Sequence, residues 1–387
     1  MFNDCIIMAG GSGTRLWPAS NSKTPKQFLT IPGSGNFFKA AVDRALSVID
    51  IEGDGKVIII AGKNHVPHVS ETCRSYSRDI LKHLVLIPEP EAKNTAPAIV
   101  CGALYTDWIS GRDRTILVLT SDHIINPLEV FQADAAAAAA LAEKQRLVVF
   151  GIPPSKPETG YGYIEAGDGL SVSVDAELRK AYGAGGGPRA FTVTSFKEKP
   201  DKKTAEQYLA SGRYYWNSGM FAFSSRFILE EFRKNAPEVI LPFDKLRAPD
   251  ERSYTFSSGL QVLTTWLDLD KAYAGTAAIS FDYAIAEKTA KRAMVAGAFD
   301  WVDIGSWDEY AALTGRGRSE VYTVDSGNCF VDSDIPVALA GVDGLIVVVR
   351  SGKNGETPSV LIAKKGESQK VREISDQIRA AGRTELL

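Results

Sequence analysis

Residues 5–18 read Cys-Ile-Ile-Met-Ala-Gly-Gly-Ser-Gly-Thr-Arg-Leu-Trp-Pro, and Pro-Lys-Gln-Phe follows at residues 25–28. The apolar run at 5–8 predicts a buried β-strand. Because this strand leads directly into a glycine-rich loop, we expect the loop at the carboxyl end of a sheet strand, where open α/β sheets bind their ligands. The stretch therefore predicts an α/β fold and the place of its binding site.

The glycine loop (residues 10–18) has the chemistry of an anion site. Gly10, Gly11 and Gly13 let the backbone turn tightly and bring its N–H groups close to an anion. Arg15 and Lys26 add positive charge for more than one phosphate. A glycine loop after a strand is often only a turn, but together with the two cations it predicts a polyphosphate site. The spacing matches neither the P-loop nor the Gly-x-Gly-x-x-Gly dinucleotide motif.

The composition is that of an ordinary globular protein. The chain has 387 residues, of which 24% are charged and 44% hydrophobic, and this length predicts a large domain with a smaller one. A net charge of −3 argues against a nucleic-acid partner. No apolar run approaches the roughly 18 residues of a membrane span, and no leader pattern is visible. Because the four cysteines are scattered, we expect reduced thiols and a cytoplasmic protein.

Strands and helices alternate along the first part of the chain. This alternation predicts a Rossmann-like sheet, mixed and mainly parallel, that is flanked by helices. Residues 166–190 predict further strands with an excursion at the edge of the sheet. The predicted strands lie at 57–61, 84–87, 115–120, 147–151, 160–165 and 191–196, and the predicted helices at 37–49, 96–109 and 128–144.

The last part of the chain has a different composition and a different spacing of its apolar residues. Residues 314–320 are rich in glycine, arginine and serine and predict a linker. Residues 321–363 carry Val, Ile, Asp and Gly in short runs, which indicates small β structure, and 371–379 have helical spacing. We therefore expect a main domain at 1–314 and a small β-rich domain at 321–387 that ends in a helix.

Two aspartates stand where a metal ligand for phosphate chemistry is expected. Asp122 follows the predicted strand 115–120, and a carboxylate there would hold Mg²⁺ against phosphates. The alternative is that Asp122 caps the next helix, but Asn126 is better placed for that because Pro127 follows it. Asp282 precedes an apolar helix at 284–288, and on its own it is more typical of a helix cap than of a ligand.

The glycine loop and Pro-Lys-Gln-Phe resemble the signature of the mannose-1-phosphate guanylyltransferases, within the sugar-1-phosphate nucleotidylyltransferases. Further stretches, in the expected order across about residues 2–310, are similar to motifs of that family. They are Glu-Pro at 89–90, Lys-Asn-Thr-Ala-Pro-Ala at 93–98, Phe-Lys-Glu-Lys-Pro at 196–200, Trp-Asn-Ser-Gly-Met-Phe at 216–221, Ser-Phe-Asp-Tyr-Ala at 280–284 and Asp-Ile-Gly-Ser-Trp at 303–307. The resemblance makes 1–314 the catalytic domain.

The resemblance implies roles on the nucleotide side. Arg15 would hold the β- and γ-phosphates, and Lys26 the α-phosphate or the incoming phosphate. Asp122 and Asp282 would together hold Mg²⁺. The nucleotide would also contact a set of small and polar residues: Gly10, Gly11, Gly13, Thr14, Asn94, Thr95 and Ser121. Of these, Asn94 and Thr95 stand at a helix start, where they cap the helix, bind the base, or do both.

The resemblance also implies a sugar side. Glu198 would bind sugar hydroxyls, Lys199 the phosphate of the sugar, and Asn217 the sugar itself. Gly162 would let the chain approach the sugar closely. For the aromatic residues Trp301 and Trp307 around the Asp-Ile-Gly-Ser-Trp motif, packing near the site is favoured over stacking on a ligand.

The implied activity is transfer of GMP from GTP to mannose 1-phosphate by metal-assisted in-line attack, which gives GDP-mannose and pyrophosphate. The near alternative is the same chemistry on another hexose 1-phosphate or nucleoside triphosphate. The alternative from a different class is an inactive relative that binds a nucleotide sugar and regulates a partner. GTP and mannose 1-phosphate are then the expected partners, with neither nucleic acid nor membrane, and a homodimer is left open.

Overall fold

The computed structural model describes residues 1–11, 13–21, 24–31, 35–184, 186–315, 317, 319–352 and 357–387. These residues form two compact units, each built from separate segments of the chain. The first unit contains residues 1–10, 41–121 and 125–301, and the second contains residues 11–40, 122–124 and 302–387. The domain boundary expected at 314–321 stays a prediction. None of the helices in the described ranges has the length and apolar character needed to cross a bilayer.

Strands and helices occur along the whole chain. The strands are β1 (Asp4–Met8), β2 (Thr30–Ile31), β3 (Gly35–Asn36), β4 (Lys56–Gly62), β5 (Leu84–Glu89), β6 (Thr115–Thr120), β7 (His123–Asn126), β8 (Leu147–Ile152), β9 (Tyr163–Leu170), β10 (Arg189–Lys197), β11 (Tyr214–Ser224), β12 (Tyr254–Ser257), β13 (Leu260–Leu263), β14 (Arg292–Ala296), β15 (Asp300–Asp303), β16 (Val321–Val324), β17 (Phe330–Ser333), β18 (Val337–Ala340), β19 (Leu345–Arg350) and β20 (Ser359–Lys364). The α-helices are α1 (Phe37–Leu46), α2 (Val66–Cys73), α3 (Arg78–Leu81), α4 (Thr95–Ser110), α5 (Leu128–Ala142), α6 (Ala176–Arg179), α7 (Lys202–Ser211), α8 (Ser225–Asn235), α9 (Pro237–Ile240), α10 (Leu269–Gly275), α11 (Trp307–Thr314) and α12 (Val371–Ala380).

The first unit is organised around a mixed sheet with the strand order β12-β13-β5-β4-β1-β6-β11-β8-β14-β10-β9. Neighbouring strands from β13 to β6 run parallel, and β11 then pairs antiparallel with both β6 and β8. Met8 at the end of β1 lies opposite Ile60 and Thr120, and Gly62 lies opposite Glu89. The carboxyl ends of β1, β5 and β6 therefore meet at one edge of the sheet.

Helices cover both faces of this sheet. Phe150 in β8 stacks on Phe131 of α5, with ring centroids 6.3 Å apart, whereas the adjacent Val149 belongs to the apolar cluster that contains α4. Since neighbouring strand residues point to opposite faces, α4 and α5 lie on opposite sides of the sheet. A Cβ added to Gly102 would lie 2.6 Å from Cδ1 of Ile6, so glycine lets α4 pack closely on β1. The predicted mixed sheet flanked by helices is confirmed.

The second unit contains two stacked backbone coils. β16 pairs parallel with β18, with Val321 opposite Val337, and β17 pairs parallel with β19, with Phe330 opposite Ile346. Each partner is thus sixteen residues further along the chain, as in the coils of a β-solenoid. β20 joins β19 in antiparallel orientation. The short strands expected at 321–363 and the helix at 371–379 are confirmed, and residues 353–356 lie outside the described ones.

The second unit has its own apolar core, which joins distant parts of the chain. Residues 11–40, the coils, α11 and α12 all contribute side chains to it. Its buried members include Leu16, Trp17, Phe37, Ile304, Trp307, Tyr310, Phe330, Ile346, Leu361, Val371 and Leu387. The glycine loop from Gly11 onward therefore rests on the same core as the last helix.

The predicted helix starts need two corrections. Asn126 does not cap α5, because it is the last residue of β7 and Pro127 occupies the N-cap position. The helix expected at 284–288 is a π-helical turn at Asp282–Ala286. Asp282 is the first residue of this turn, and Phe281 holds its N-cap position, so Asp282 is not a helix cap.

The segment between β9 and β10 contains structure that the sequence analysis missed. It folds into α6 and a 3₁₀ turn at Lys180–Tyr182. The hydroxyl of Tyr182 donates a 2.6 Å hydrogen bond to Asp134 of α5. This contact fixes the turn against the helix. The glycine-rich patch at 183–187 follows, and its Gly185 lies outside the described residues.

Candidate active site

The glycine loop has two backbone positions that favour glycine. Gly11 and Gly13 have φ values of +96° and +60°. A Cβ added to Gly13 would lie 2.4 Å from Cβ of Lys26, so a side chain there would collide with it. The hydroxyl of Ser20 also donates a hydrogen bond to the Gly13 carbonyl. The loop therefore lies directly against the turn Lys26–Phe28.

Lys26 is buried and paired with two carboxylates. Its Nζ donates to Oδ2 of Asp122 over 2.9 Å and to Oδ1 of Asp303 over 3.0 Å. Burial would lower the pKa of Lys26, but the two carboxylates outweigh it and raise the pKa above its usual value. Burial likewise would raise the pKa of Asp122, but the charges of Lys26 and His123 hold it below its usual range. Lys26 and Asp122 are thus both charged near neutral pH.

Asp303 is the residue of this cluster that sequence reasoning missed. The 303–307 motif was given only a packing role, yet Asp303 ends the short strand β15 and points its carboxylate at Lys26. The sequence predicts no strand before Asp303, so the signal that singles out Asp122, an aspartate just after a predicted strand, is missing there; the signal available was its place at the start of the 303–307 motif. For Asp122 the capping alternative is wrong, because the strand β7 follows it and not a helix.

Arg15 lies in the 3₁₀ turn Thr14–Leu16 of the glycine loop and is exposed. Its Nη1 is 3.5 Å from the place that a Cβ on Gly305 would take, so Gly305 leaves room for the guanidinium. The side chain of Thr14 is outside what the structure describes. An exposed guanidinium beside a glycine loop can bind an anion from solvent.

The sugar-side residues come together in the first unit. A Cβ added to Gly162 would lie 2.4 Å from Oε2 of Glu198 and 3.3 Å from Cβ of Asn217. Lys199 has a φ of +46°, and its Nζ donates to Oε1 of Glu198 over 2.5 Å. The side chain of Glu198 is only 10% exposed. The predicted group of Gly162, Glu198, Lys199 and Asn217 is therefore a real cluster.

Asp282 belongs to this sugar-side cluster. Nδ2 of Asn217 donates to its Oδ1 over 2.8 Å. Burial and the neighbouring charge of Glu198 raise the pKa of Asp282 to about 6. Asp282 is in the first unit and Asp122 in the second. The metal role that was expected of Asp282 stays a prediction.

The residues predicted to bind the base lie at the start of α4. Asn94, with a φ of +69°, caps the helix by accepting a 2.9 Å hydrogen bond from the Thr95 N–H. Oγ1 of Thr95 accepts from the Phe281 N–H over 2.8 Å. Both residues thus have capping or bridging roles, and their contact with a base stays a prediction. Ser121 is buried directly after β6, at the sheet edge where the strands end.

Glu89 is a buried carboxylate at the same edge. It ends β5, its side chain accepts a 3.1 Å hydrogen bond from the hydroxyl of Tyr273, and Oε2 lies 3.6 Å from the place of a Cβ on Gly10. Burial raises the pKa of Glu89 to about 7. The carboxyl group is therefore poised to change its protonation state near neutral pH.

The nucleotidyl transferase family model matches residues 4–316. The chain belongs to this family. This nucleotidyl transferase chain is 35% identical in sequence to mannose-1-phosphate guanylyltransferase from Escherichia coli, and the match covers 98% of this chain and 74% of that protein. It is 37% identical to the xanthan biosynthesis protein XanB from Xanthomonas campestris pv. campestris (strain B100), with the same two coverages. The resemblance stated from the sequence motifs is confirmed.

A solved structure supports the same family assignment for this nucleotidyl transferase. It is a protein from Thermus thermophilus described as a mannose-1-phosphate geranyltransferase. The two chains are 26% identical and superpose with a TM-score of 0.75, over 98% of this chain and all of the other. The predicted enzyme class, a nucleotidyltransferase, is confirmed.

Proposed function

We propose that this enzyme transfers GMP from GTP to mannose 1-phosphate and releases GDP-mannose and pyrophosphate. The observation that carries the proposal is the charge cluster of Lys26, Asp122 and Asp303, in which Lys26 lies directly against Gly13 of the glycine loop. The names of relatives such as the Escherichia coli enzyme support the choice of guanine and mannose. The sugar-side cluster supports a sugar phosphate as the acceptor.

The reaction needs alignment and charge neutralisation more than proton transfer. A phosphate oxygen of mannose 1-phosphate attacks the α-phosphorus of GTP, the bond from that phosphorus to the bridging oxygen breaks, and pyrophosphate leaves with the oxygen. A phosphate monoester with a second pKa of about 6 is already largely dianionic at pH 7, so no general base is required. In this proposal Lys26 stabilises the α-phosphate and Arg15 binds the departing phosphates.

We propose that Asp122 and Asp303 hold Mg²⁺. Among the described side chains no group of three or more His, Cys, Asp or Glu is arranged to hold a metal. Two carboxylates are nevertheless a fitting set, because Mg²⁺ in phosphate sites usually takes one or two carboxylates and completes its shell with phosphate oxygens and water. Mg²⁺ bound there would neutralise charge on the α-phosphate. Asp282, which hydrogen-bonds to Asn217, is proposed to orient the sugar side instead.

The remaining residues bind the two substrates. Glu198 accepts hydrogen bonds from sugar hydroxyls, Lys199 pairs with the phosphate, and Asn217 contacts the sugar, while Gly162 leaves space for the Glu198 carboxylate. On the nucleotide side, backbone N–H groups of the glycine loop bind the triphosphate. Thr14, Asn94, Thr95 and Ser121 are proposed to contact the nucleotide. The cytoplasmic location and the homodimer stay predictions.

The test is pyrophosphate release from the purified protein with Mg²⁺, with five nucleoside triphosphates crossed against mannose, glucose and fucose 1-phosphates. The proposal expects turnover with GTP and mannose 1-phosphate, and a strong loss in Asp122→Asn and Asp303→Asn. Asp79→Asn, whose side chain is 92% exposed in α3, is the matched control and should keep wild-type turnover.

Other outcomes correct the proposal in distinct ways. Maximal turnover on a different pair of substrates would change the specificity and keep the reaction class. Binding of GDP-mannose without turnover of any pair would favour the inactive regulator, since such a protein needs the pocket but not the chemistry.

A further inference from the structure

The segment at residues 384–387 contacts the glycine loop. The indole Nε1 of Trp17 donates a 2.6 Å hydrogen bond to the carbonyl of Leu386. Leu387 is 8% exposed and lies in the same apolar core as Leu16 and Trp17. Leu16 and Trp17 are the two residues that follow Arg15 in the chain. A contact far along the sequence therefore fixes the neighbours of a proposed phosphate ligand.

Trp17 is also held from a second direction. Its carbonyl accepts a 2.8 Å hydrogen bond from the indole Nε1 of Trp307, which is buried. Trp307 is the first residue of α11, and Asp303 at the end of β15 precedes it by four positions. Trp17 thus joins the glycine loop both to the segment 384–387 and to the helix that follows Asp303.

The residues just before helix α12 are hydrogen-bonded to α11. Oδ1 of Asp308 accepts from the Gly366 N–H over 2.8 Å, and Oδ2 accepts from the Ser368 N–H over 3.2 Å. α12 packs against the turn Thr14–Leu16, with Val371 almost completely buried. The region 366–387 therefore contacts both the glycine loop and the helix that follows Asp303.

We propose that α12 and residues 384–387 form a brace that holds the Arg15 turn in place for a triphosphate, and that Trp17 and Leu387 are positioning residues. Arg15 is exposed, whereas Leu16 and Trp17 beside it are buried, so its place depends on them. Lys26 has its own two carboxylate partners, so we expect Trp17 and Leu387 to affect Arg15 more than Lys26. The inference rests on the proposed function only for the identity of the nucleotide.

Kinetics separate positioning from general stability. Trp17→Phe removes the indole N–H and keeps an aromatic ring, so we expect kcat/KM for GTP to fall about fivefold, the typical effect of one hydrogen bond. KM for mannose 1-phosphate stays unchanged. Leu387→Ala is expected to cause a larger fall and Leu387→Met to recover most of it, because Met restores the buried volume. Glu385→Gln changes an exposed side chain within the same segment, one that pairs with Arg383 and not with the glycine loop, and it is the matched control.

Binding of inorganic tripolyphosphate with Mg²⁺, measured by calorimetry, tests the brace without a base or a sugar. We expect weaker binding in Trp17→Phe and Leu387→Ala and wild-type binding in Glu385→Gln, with unfolding midpoints showing that the variants are folded. Wild-type tripolyphosphate binding in folded Trp17→Phe would overturn the inference. If the wild type does not turn over GTP but the difference in tripolyphosphate binding is present, the proposed function fails and the brace is supported.

Discussion

Asp303 and Asp282 are the two candidates for the carboxylate that binds Mg²⁺ together with Asp122. Because Asp303 contacts the same ammonium group as Asp122, we expect Asp303→Asn to lower kcat by about 10²-fold and to raise the Mg²⁺ concentration at half-maximal rate. Asp282→Asn should mainly raise KM for mannose 1-phosphate, since Asp282 contacts Asn217. Mg²⁺ titrations of both variants decide the matter, and the reverse pattern would return Asp282 to the metal site.

Gly162 gives a second test at the scale of one residue. A Cβ there would lie 2.4 Å from Oε2 of Glu198, so Gly162→Ala must displace that carboxylate. We expect KM for mannose 1-phosphate to rise at least tenfold, as when about 1.4 kcal/mol of binding is lost, with KM for GTP unchanged. Gly169→Ala is the matched control in β9, because no atom lies within 4 Å of a Cβ added there. Equal effects of the two changes would contradict the proposed sugar side.

Glu89 predicts a pH-dependent stability. Its pKa is raised from 4.5 to about 7 by burial, so the folded state keeps the proton to a higher pH than the unfolded chain does. The resulting stabilisation is complete below about pH 4.5 and is lost as the pH rises to about 7, which amounts to about 3 kcal/mol. In Glu89→Gln, the free energy of unfolding, measured with urea from about pH 5 to about pH 8, should depend less on pH than it does in the wild type. An unchanged slope would show that Glu89 does not cause it.

At the scale of elements, the features that can be predicted from the sequence are those with a local signal. The strand β1, the glycine loop and Lys26 lie within thirty residues, and spacing alone indicates their chemistry. Asp303 on β15, which pairs with Lys26, is 277 positions away in the chain, and no pattern around either residue indicates that the two are in contact. The aromatic residues around the Asp-Ile-Gly-Ser-Trp motif predict a packing role, and Trp307 is indeed buried, but that prediction leaves out the carboxylate of Asp303 four residues earlier.

The short elements between β9 and β10 give a prediction of their own. The hydrogen bond from Tyr182 to Asp134 fixes the turn Lys180–Tyr182 on α5. Tyr182→Phe removes one hydrogen bond and leaves Asp134 with its 2.8 Å contact to the Ala298 N–H, so about 1 kcal/mol of local stability is lost. Limited proteolysis should then cut this segment about fivefold faster. Tyr322→Phe, at an exposed tyrosine, is the control and should leave the rate unchanged.

At the scale of the whole molecule, the two units could not be read from the sequence because each is built from segments far apart in the chain. The stacked coils were missed for a related reason. Stacked coils need compatible residues at a fixed offset, but they do not need identical ones. Phe330, for example, lies opposite Ile346, so the sixteen-residue offset leaves no obvious sequence repeat.

The expected domain boundary at 314–321 can be tested by comparing the whole chain with one that ends at residue 314. In the core of the second unit, Leu16 and Trp17 pack with Phe330, Ile346 and Val371. A chain that ends at residue 314 would lack the last three. We expect such a chain to keep the sheet of the first unit, seen in its circular dichroism, and to lose tripolyphosphate binding, because the glycine loop would lose its support. If the shortened chain binds tripolyphosphate as tightly as the wild type does, residues 1–314 are a self-sufficient domain, as the boundary expected from the sequence predicts.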